Sequence, residues 1–523
     1  MNKMRDTPKT IAGISLIPES APFDSEQRAW LNGFFAGMTG IEEMMAQGTG
    51  GSGASSAVAL AEPEEEEDFP WHDDTLEIDE RMELAADKPQ QRKLMAAMAQ
   101  LDCGSCGYLC QTYAEAIASG AETNLTLCTP GGKETAKMVK KLVKTGGVGT
   151  GTAAATTATA ESGYSRKNPF DAKLIKSEKL NGEGSSKDVR HVEIDLSGSD
   201  LKYEVGDALG LVPTNCPELV DEILSFCQCD DPASAAERLL GCDLSTASEE
   251  LCELIQSKAT KPDDIERARN FAEDEDQLDE LDVLDFLQLF SACEITVDQL
   301  INTLNELNPR LYSIASSLKA HPDQVHLTVG KVTYEKNNRL RKGVASTFLA
   351  DRVEEGSPVK VFVQASHGFT VPADDSAPMI MVGPGTGIAP FLSFLQERQI
   401  RKADGKNWLL FGDQKSATDF LYEKELTTWR DDGLLTRLDT AFSRDQADKI
   451  YVQDRMRENG SELFSWLEKG ASFFVCGDAS RMAKDVDTAL HEIIEQHGKM
   501  PASEAKAYVK GLKDTGRYSR DVY

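Results

Sequence analysis

The sequence predicts a multidomain protein of the α/β and β classes. A small N-terminal cysteine-cluster domain precedes a β-barrel with a helical insertion and then a doubly wound parallel sheet. Three observations predict this fold class. Four cysteines are concentrated between residues 103 and 128, alternating strands and turns begin near residue 168, and strands alternate with helices after residue 377. The length of 523 residues suits about three domains.

The composition excludes several classes of partner. The chain has 87 acidic and 56 basic residues, which give a net charge of −31 at pH 7. This charge would repel a phosphate backbone and an anionic bilayer, so we expect neither nucleic acid nor a membrane as a partner. No apolar run reaches the length of about 18 residues that a membrane helix requires. Eleven cysteines, an odd number, do not suit a disulfide framework and favour the cytoplasm.

The N-terminal part combines two structured segments with two linkers. A capping pattern followed by Trp30, Phe34 and Met38 at spacing four predicts an amphipathic helix over 22–38. This helix would either dock a partner protein or pack on its own chain. Gly/Ser-rich and glutamate-rich stretches predict flexible linkers. The predicted segments are the helical segment 1–45, an acidic linker 46–75, a cysteine-cluster domain 76–144 and a second linker 145–165.

The next region has the pattern of a β-barrel. Residues 189–196 alternate between apolar and polar, and a turn-rich stretch follows at 202–215. Residues 216–305 are instead acidic and helical in period, and strands resume at 311–316. We therefore predict a barrel domain over 166–376 with a helical insertion at about 216–305.

The last domain, residues 377–523, carries a glycine-rich loop after its first strand. The loop Gly383-Pro384-Gly385-Thr386-Gly387 leads into an apolar helix. Glycines at such a place let the backbone approach a pyrophosphate at a helix N-terminus. An ordinary tight turn between strand and helix is the alternative interpretation of this loop.

A cationic and aromatic group follows a later strand of the same domain, and it consists of Ser443, Arg444, Lys449, Tyr451 and Gln453. Two cations, a hydroxyl and an aromatic face near the switch-point crevice suit the 2′-phosphate and adenine of NADPH. The alternative is a solvated basic patch, which is less expected in so acidic a chain. Cys476 ends another strand at this edge, and its alternative role is that of a small buried apolar residue.

Six motifs follow one another along the C-terminal two thirds of the chain. They are RLYS at 310–313, GVAS at 343–346, GPGTGIAPF at 383–391, SRDQADKIYVQD at 443–454, FVCGD at 474–478 and the terminal RDVY. Through these motifs, residues 168–523 resemble the ferredoxin-NADP reductase type module with a helical connecting domain that diflavin reductases contain. Within that family they are most similar to the flavoprotein subunit of assimilatory sulfite reductase.

The resemblance implies an FAD-binding barrel. By it, Arg310 would pair with the FAD pyrophosphate, Tyr312 would pack on the isoalloxazine, and Ser313 would hydrogen-bond near flavin N5. The backbone amides that would hold the diphosphate belong to Gly343, Val344, Ala345 and Ser346. The residues that would line the flavin are Thr328 and Gly330.

The resemblance also implies an NADP-binding sheet. The residues that would hold NADPH are Gly385, Thr386, Ser443, Arg444, Lys449, Tyr451 and Gln453. Cys476 and Asp521 would position the nicotinamide for hydride transfer, and Tyr523 would stack on the flavin until the nicotinamide displaces it. Without the resemblance, Tyr523 would be interpreted as a frayed chain end.

The N-terminal part departs from the diflavin reductases, because it lacks a flavodoxin-like pattern and FMN is therefore not expected. In its place Cys103, Cys106, Cys110 and Cys128 occur at short spacing. Such cysteines suit an iron–sulfur cluster, and the segment resembles the small 4Fe-4S domain of electron-transport complexes. Its spacing is irregular for that family, since three residues rather than the usual four separate the second and third cysteines. A four-cysteine zinc site is the alternative.

The resemblance implies a soluble NADPH-dependent flavoenzyme. Hydride would pass from NADPH to FAD, and single electrons would leave through the N-terminal cluster. The expected acceptor is a sirohaem subunit that reduces sulfite to sulfide. The alternatives are the same reductase core serving nitrate reductase or a ferredoxin, and a cofactor-free scaffold that has lost its activity.

Overall fold

The computed structural model of the chain describes residues 69–73, 76–101, 108–128, 130–146, 163–366 and 368–523. The chain divides into two units, residues 1–68 and residues 69–523, and every described residue belongs to the second. The helix predicted over 22–38, Cys103, Cys106 and most of both predicted linkers lie outside the described residues. Among the helices that are described, none has both the length and the apolar character to cross a membrane.

The first described part is a small helical domain. Its helices are α1 (Ile78–Leu84), α2 (Gln90–Ala97), α3 (Cys110–Ser119) and α4 (Gly132–Gly146). Apolar residues such as Leu94, Tyr113 and Val139 share one core. Trp71 is fully buried in a second cluster with Ala85. The chain is therefore packed at residue 71, earlier than the predicted linker end at residue 75, because the indole ring finds apolar partners under α1.

Three strands begin the β-domain, namely β1 (Phe170–Lys179), β2 (Val189–Asp195) and β3 (Ala208–Val212). The helical insertion follows and contains α5 (Pro217–Leu224), β4 (Cys227–Gln228), α6 (Pro232–Leu239), α7 (Glu249–Lys258), α8 (Pro262–Glu273), α9 (Glu275–Leu278), α10 (Val283–Leu289), β5 (Ile295–Thr296) and α11 (Val297–Ile301). A proline begins α5, α6 and α8, where its missing N–H leaves no helical bond unmade. Asp231 and Asp282 cap α6 and α10 by accepting backbone N–H groups.

The chain then returns to the β-domain. The returning elements are β6 (Arg310–Ser313), β7 (Gln324–Gly330), the hairpin β8 (Thr333–Lys336) and β9 (Arg339–Lys342), α12 (Val344–Thr347), a π-helical turn (Phe348–Arg352) and β10 (Pro358–Gln364). Six strands form an antiparallel sheet in the order β6-β3-β10-β1-β2-β7. A bridge between Ile314 and Leu327 joins the regions of the two edge strands. Inward residues such as Val192 and Ile194 form its core.

The C-terminal part is a five-stranded parallel sheet between helices. Its strands are β11 (Met379–Val382), β12 (Asn407–Asp413), β13 (Arg437–Phe442), β14 (Ser472–Gly477) and β15 (Tyr518–Val522). Its helices are α13 (Ala389–Arg401), α14 (Ser416–Asp419), α15 (Glu423–Asp431), α16 (Val452–Glu458), α17 (Gly460–Glu468), α18 (Met482–Gly498) and α19 (Ala502–Asp514). The order β13-β12-β11-β14-β15 places the switch point between β11 and β14. Ligands of such sheets bind outside the carboxyl ends of the strands at that point.

Polar contacts hold the antiparallel sheet against the parallel-sheet domain. Asn181, after β1, donates to the Asp419 carboxylate at 2.9 Å. The Thr328 hydroxyl lies 2.8 Å from the Tyr422 hydroxyl, and His191 Nδ1 lies 3.0 Å from the same oxygen. These contacts hold one edge of the antiparallel sheet so that it faces the carboxyl ends of the parallel strands. The candidate site lies between that edge and those strand ends.

Candidate active site

A cavity of about 1140 Å³ is lined by residues of both sheets. Its wall contains eleven of the residues that the sequence singles out: Arg310, Tyr312, Ser313, Thr328, Gly330, Gly385, Thr386, Ser443, Tyr451, Gln453 and Tyr523. Residues separated by more than 200 positions in the sequence therefore meet at one place. A cavity of this volume is large enough for a dinucleotide-sized ligand.

Ser313, Cys476 and Asp521 form a hydrogen-bonded group at the cavity wall. Ser313 ends β6, and Cys476 on β14 pairs in register with Asp521 on β15. The Ser313 hydroxyl donates to Asp521 Oδ2, and the Cys476 thiol donates to the same oxygen at 3.7 Å. Desolvation raises the pKa of the fully buried Cys476 thiol and also that of the Asp521 carboxyl. The thiol therefore remains a protonated donor at neutral pH.

The C-terminal residue Tyr523 is held at both its backbone and its side chain. Its amide donates to the Gly477 carbonyl at 3.1 Å, and its carbonyl accepts from Ala479 at 3.1 Å. Its hydroxyl lies 2.8 Å from the Thr386 hydroxyl. The residue is still 56% exposed, so its ring stands at the cavity rather than inside the core. The end of the chain is thus ordered by hydrogen bonds, unlike a frayed terminus.

The glycine-rich loop lies tightly against the end of β14. Gly385 has φ +60°, a conformation that glycine adopts without a steric penalty. A Cβ built on Gly387 would lie 2.1 Å from the carbonyl oxygen of Cys476, so only glycine fits there. The loop consequently brings its backbone to the switch point, beside Thr386 in the cavity wall.

The segment whose amides are predicted to bind the diphosphate, Gly343 to Ser346, lies at the start of α12, directly after the β8–β9 hairpin. The Gly343 amide donates to the Val332 carbonyl at 2.9 Å, and the Val332 amide donates to Ser346 Oγ at 3.1 Å. Val332 lines the cavity, whereas these four residues do not line it and are connected to it by the two hydrogen bonds to Val332. In the same wall, Arg310 Nη1 donates to the Asn308 carbonyl at 2.9 Å.

The predicted NADPH phosphate group is only partly assembled at the cavity. Ser443, Tyr451 and Gln453 line it, whereas Arg444 and Lys449 are exposed outside its wall. The loop backbone is nevertheless fixed. The Ser443 amide donates to the Asp413 carbonyl at 2.9 Å, and the Arg444 amide donates to the Gln414 carbonyl at 2.7 Å.

Sequence reasoning missed an ion pair in this wall. Lys187 Nζ lies 2.5 Å from Oδ1 of Asp413, whose side chain is completely buried. Burial raises the pKa of Asp413, and its Oδ2 has no hydrogen-bond partner among the described residues. Asp413 could have been identified from its position at the carboxyl end of an apolar strand. The sequence offers no comparable indication for Arg481, which also lines the cavity.

The cysteine segment is described only in part. Cys110 begins α3, and Cys110 and Cys128 are both buried in the core of the small helical domain. A Cβ built on Gly131 would lie 3.1 Å from Cys128 Sγ, so the backbone passes close to this sulfur. In the described part of the chain, no three metal-ligating side chains are grouped around one point. Pro130, two residues after Cys128, lines the large cavity.

Comparison with known proteins identifies both halves of the cavity. An FAD binding domain family matches residues 162–253 and 246–348, and an oxidoreductase NAD-binding domain family matches residues 381–488. These matches confirm the predicted FAD-binding and NADP-binding domains.

Relatives that share one name are found in several bacteria. The chain is 40% identical over 463 residues to the sulfite reductase [NADPH] flavoprotein alpha-component of Bacillus subtilis, covering 83% of this chain and 76% of that protein. It is 45% identical over 379 residues to that of Vibrio parahaemolyticus, covering 70% and 60%. It is 45% identical over 370 residues to that of Mannheimia succiniciproducens, covering 69% and 62%. The chain thus spans less than two thirds of the Vibrio and Mannheimia proteins.

Proposed function

The chain belongs to the family of sulfite reductase [NADPH] flavoprotein alpha-components and is an NADPH-dependent flavoprotein oxidoreductase, and we propose that its electrons leave through an iron–sulfur cluster on the N-terminal cysteine segment. The acceptor in this proposal is a sirohaem hemoprotein subunit that reduces sulfite to sulfide. The observation that carries the proposal is that one cavity joins the predicted FAD and NADPH residues to Pro130 of the cysteine segment.

The donor set of the cavity suits FAD. In the cavity wall, Arg310 offers a cation and Tyr312 offers an aromatic face. The amides of Val344, Ala345 and Ser346, at the start of α12, would donate to the diphosphate, whereas the Gly343 amide already donates to the Val332 carbonyl. Thr328 and Gly330 would line the flavin. When bound, FAD supplies acceptance of a hydride and release of electrons one at a time. The antiparallel sheet would form a barrel domain that binds FAD and holds the isoalloxazine ring against the parallel sheet.

The group of Ser313, Cys476 and Asp521 is proposed to orient the nicotinamide. Both donors point to one carboxylate oxygen, so the three side chains are fixed relative to one another. A nicotinamide ring becomes positively charged as its hydride leaves, and the Asp521 carboxylate would stabilise that charge. The neutral Cys476 thiol adds no competing charge. Ser313 would present its hydroxyl to the flavin edge.

Tyr523 is proposed to cover the flavin ring when nicotinamide is absent. Its exposed side chain at the cavity and its side-chain hydrogen bond to Thr386 suit a ring that is displaced by substrate. Discrimination for NADPH is assigned to Ser443, Arg444 and Lys449, with Tyr451 and Gln453 at the adenosine. Since Arg444 and Lys449 are exposed, they would close on the 2′-phosphate as it binds.

The cluster ligands in the proposal are Cys103, Cys106, Cys110 and Cys128. Two of them share the core of the small domain, which supports a common site. The flavodoxin pattern is missing from the sequence, so a flavin that accepts hydride needs another outlet for single electrons. A cluster held on a segment next to the cavity would provide that outlet.

Metal and sulfide analysis tests this function. Anaerobically purified protein is expected to contain FAD, iron and acid-labile sulfide, and Cys106→Ser should lose iron and sulfide while it retains FAD. Cys252→Ser is the matched control, because Cys252 is buried in the helical insertion, away from the cysteine segment. Protein that contains zinc and no iron would overturn the cluster assignment.

A further inference from the structure

Helix α4 of the small domain is paired with the helical insertion. Lys133 Nζ lies 3.0 Å from Asp279 Oδ2 and donates to the Asp279 carbonyl at 3.2 Å. One turn later, Lys137 forms an ion pair with Asp276. Both partners lie in or just after α9 of the insertion. One end of the small domain is thus attached by lysines to carboxylates of the reductase core.

The other end of the small domain is attached with the opposite polarity. Glu77, which precedes α1, lies 2.5 Å from Lys484 on α18. Asp73 lies 3.3 Å from Lys513 on α19. Here the small domain provides the carboxylates and the parallel-sheet domain provides the lysines. The small domain therefore spans from the helical insertion to the parallel-sheet domain.

The charge distribution of α4 explains this choice of partner. Its sequence GKETAKMVKKLVKTG contains five lysines and one glutamate, within a chain whose net charge is −31. A basic helix in so acidic a protein is attracted to carboxylates on the surface of its own chain. Asp276 and Asp279 provide such carboxylates on the helical insertion.

We propose that residues 69–146 dock reversibly across the cofactor cavity through these two ion-paired patches. The docked arrangement places Pro130, two residues after Cys128 in the sequence, in the cavity wall. This docking surface deepens the proposed function, because it is the position in which the cysteine segment would meet the flavin. Undocking would release the segment toward the hemoprotein.

The ion pairs at both ends of the small domain are partly exposed, with Asp279 at 24% and Lys513 at 29% as the more buried partners, and this exposure suits reversible docking. The side chain of Asp276 is 88% exposed, and that of Lys484 is 53% exposed. Exposed ion pairs contribute little individually and are screened by salt. The Debye length falls from about 10 Å at 0.1 M to about 3 Å at 1 M ionic strength, so docking should weaken over this range.

Carbodiimide cross-linking of the full-length protein tests the docking directly, because the reagent joins only amines and carboxylates already in contact. Peptide mass spectrometry of the monomer band should find links from Lys133 or Lys137 to the segment 276–279, and from Lys484 to Glu77. These links should decrease by about tenfold between low and high salt. The link between Lys510 and Asp514, an ion pair within α19 at 3.0 Å, serves as the internal reference.

Charge reversal separates docking from general charge effects. Lys133→Glu/Lys137→Glu should abolish the α4 links and slow reduction of the sirohaem subunit by about tenfold or more, with ferricyanide reduction unchanged. Adding Asp276→Lys/Asp279→Lys should restore both the links and the rate. Lys140→Glu/Lys141→Glu is the matched control, because it changes the charge of the same helix by the same amount. It should leave the cross-links and the rate of sirohaem-subunit reduction unchanged.

The outcomes distinguish this proposal from the proposed function. The links need no cluster, so their presence in protein that lacks iron would support the docking and overturn only the cluster. Absence of the links at low salt, with the Lys510 to Asp514 link present, would overturn the docking even if iron and sulfide were found. A failure of the reciprocal charge swap to restore the links would also overturn it.

Discussion

The reductase core and the small cysteine domain are held together by different kinds of interaction. In the core, Ser313, Cys476 and Asp521 come from three strands, and their meeting point is fixed by backbone register and burial. The small domain instead contacts the core through exposed ion pairs such as that of Lys137 with Asp276. The group at which we propose that hydride enters is therefore fixed by the fold, whereas the segment through which we propose that electrons leave is attached by partly exposed ion pairs.

The largest expected effect comes from removing a member of the rigid group. Cys476→Ala should slow flavin reduction by NADPH by about a hundredfold, because an oriented donor next to the nicotinamide is lost. Stopped-flow absorbance of the flavin measures this rate. Cys252→Ala removes a buried thiol of the helical insertion and should leave the rate unchanged. Equal rates in wild type and Cys476→Ala would show that the thiol only fills space.

Arg444 tests the proposed closure of exposed cations on the 2′-phosphate. Hydrogen bonds to charged groups contribute about 1.5 to 3 kcal/mol, so Arg444→Ala should lower kcat/KM for NADPH by roughly ten- to a hundredfold. The value for NADH should barely change. Arg457→Ala is the control, because Arg457 is paired with Glu492 on α18 and should affect neither cofactor. Equal losses with NADPH and NADH would assign Arg444 to the fold.

The pH dependence of flavin reduction reports on Asp521. Desolvation raises the pKa of its carboxyl above the ordinary 3.8, so protonation begins at a higher pH than for an exposed aspartate. The carboxylate is the form that accepts from Ser313 and Cys476. The rate should therefore fall as the pH is lowered through this raised pKa, by about tenfold per pH unit below it. Flavin reduction by Asp521→Asn should be slow at every pH and should not fall further in acid. If that variant shows the same fall in acid, the fall belongs to another titrating group.

Deletion of Tyr523 should have the smallest effect. The nicotinamide would no longer displace a stacked ring, so NADP⁺ should bind about three- to tenfold more tightly, and the flavin spectrum should shift. Tyr523→Phe keeps the ring and removes the 2.8 Å hydrogen bond to the Thr386 hydroxyl, so it should cause a smaller change in both the affinity and the spectrum. An unchanged affinity and an unchanged spectrum after the deletion would show that Tyr523 does not cover the flavin.

The sequence predicted the elements of the core better than it predicted their meeting points. Glycine spacing and apolar strands located the Gly385 loop and the parallel sheet, because these depend on local backbone chemistry. The position of Cys476 at the end of a strand was predicted from the sequence, but its role and the choice of Asp521 required the family resemblance. The pairing of two strands whose residues lie 45 positions apart cannot be deduced from the sequence around either residue. The pair of Lys187 and Asp413 was missed because it joins two domains through side chains alone.

The N-terminal part was the least predictable. Trp71 was assigned to a linker because glutamates precede it, yet its ring is completely buried. The ion pairs of α4 could not be predicted either, since basic residues at helical spacing suit solvent equally well. Burial and long-range charge pairing depend on the assembled surface, which composition does not specify.

Removal of the small domain separates the entry of hydride from the exit of electrons, and its effect is measured with two acceptors. A variant that lacks residues 1–150 should retain FAD and reduce ferricyanide with NADPH at the rate of the full chain, because the rigid hydride site lies entirely in the remaining core. Its reduction of the sirohaem subunit should be lost. A truncated protein that still fed the hemoprotein at the full rate would contradict the claim that electrons leave through the cysteine domain.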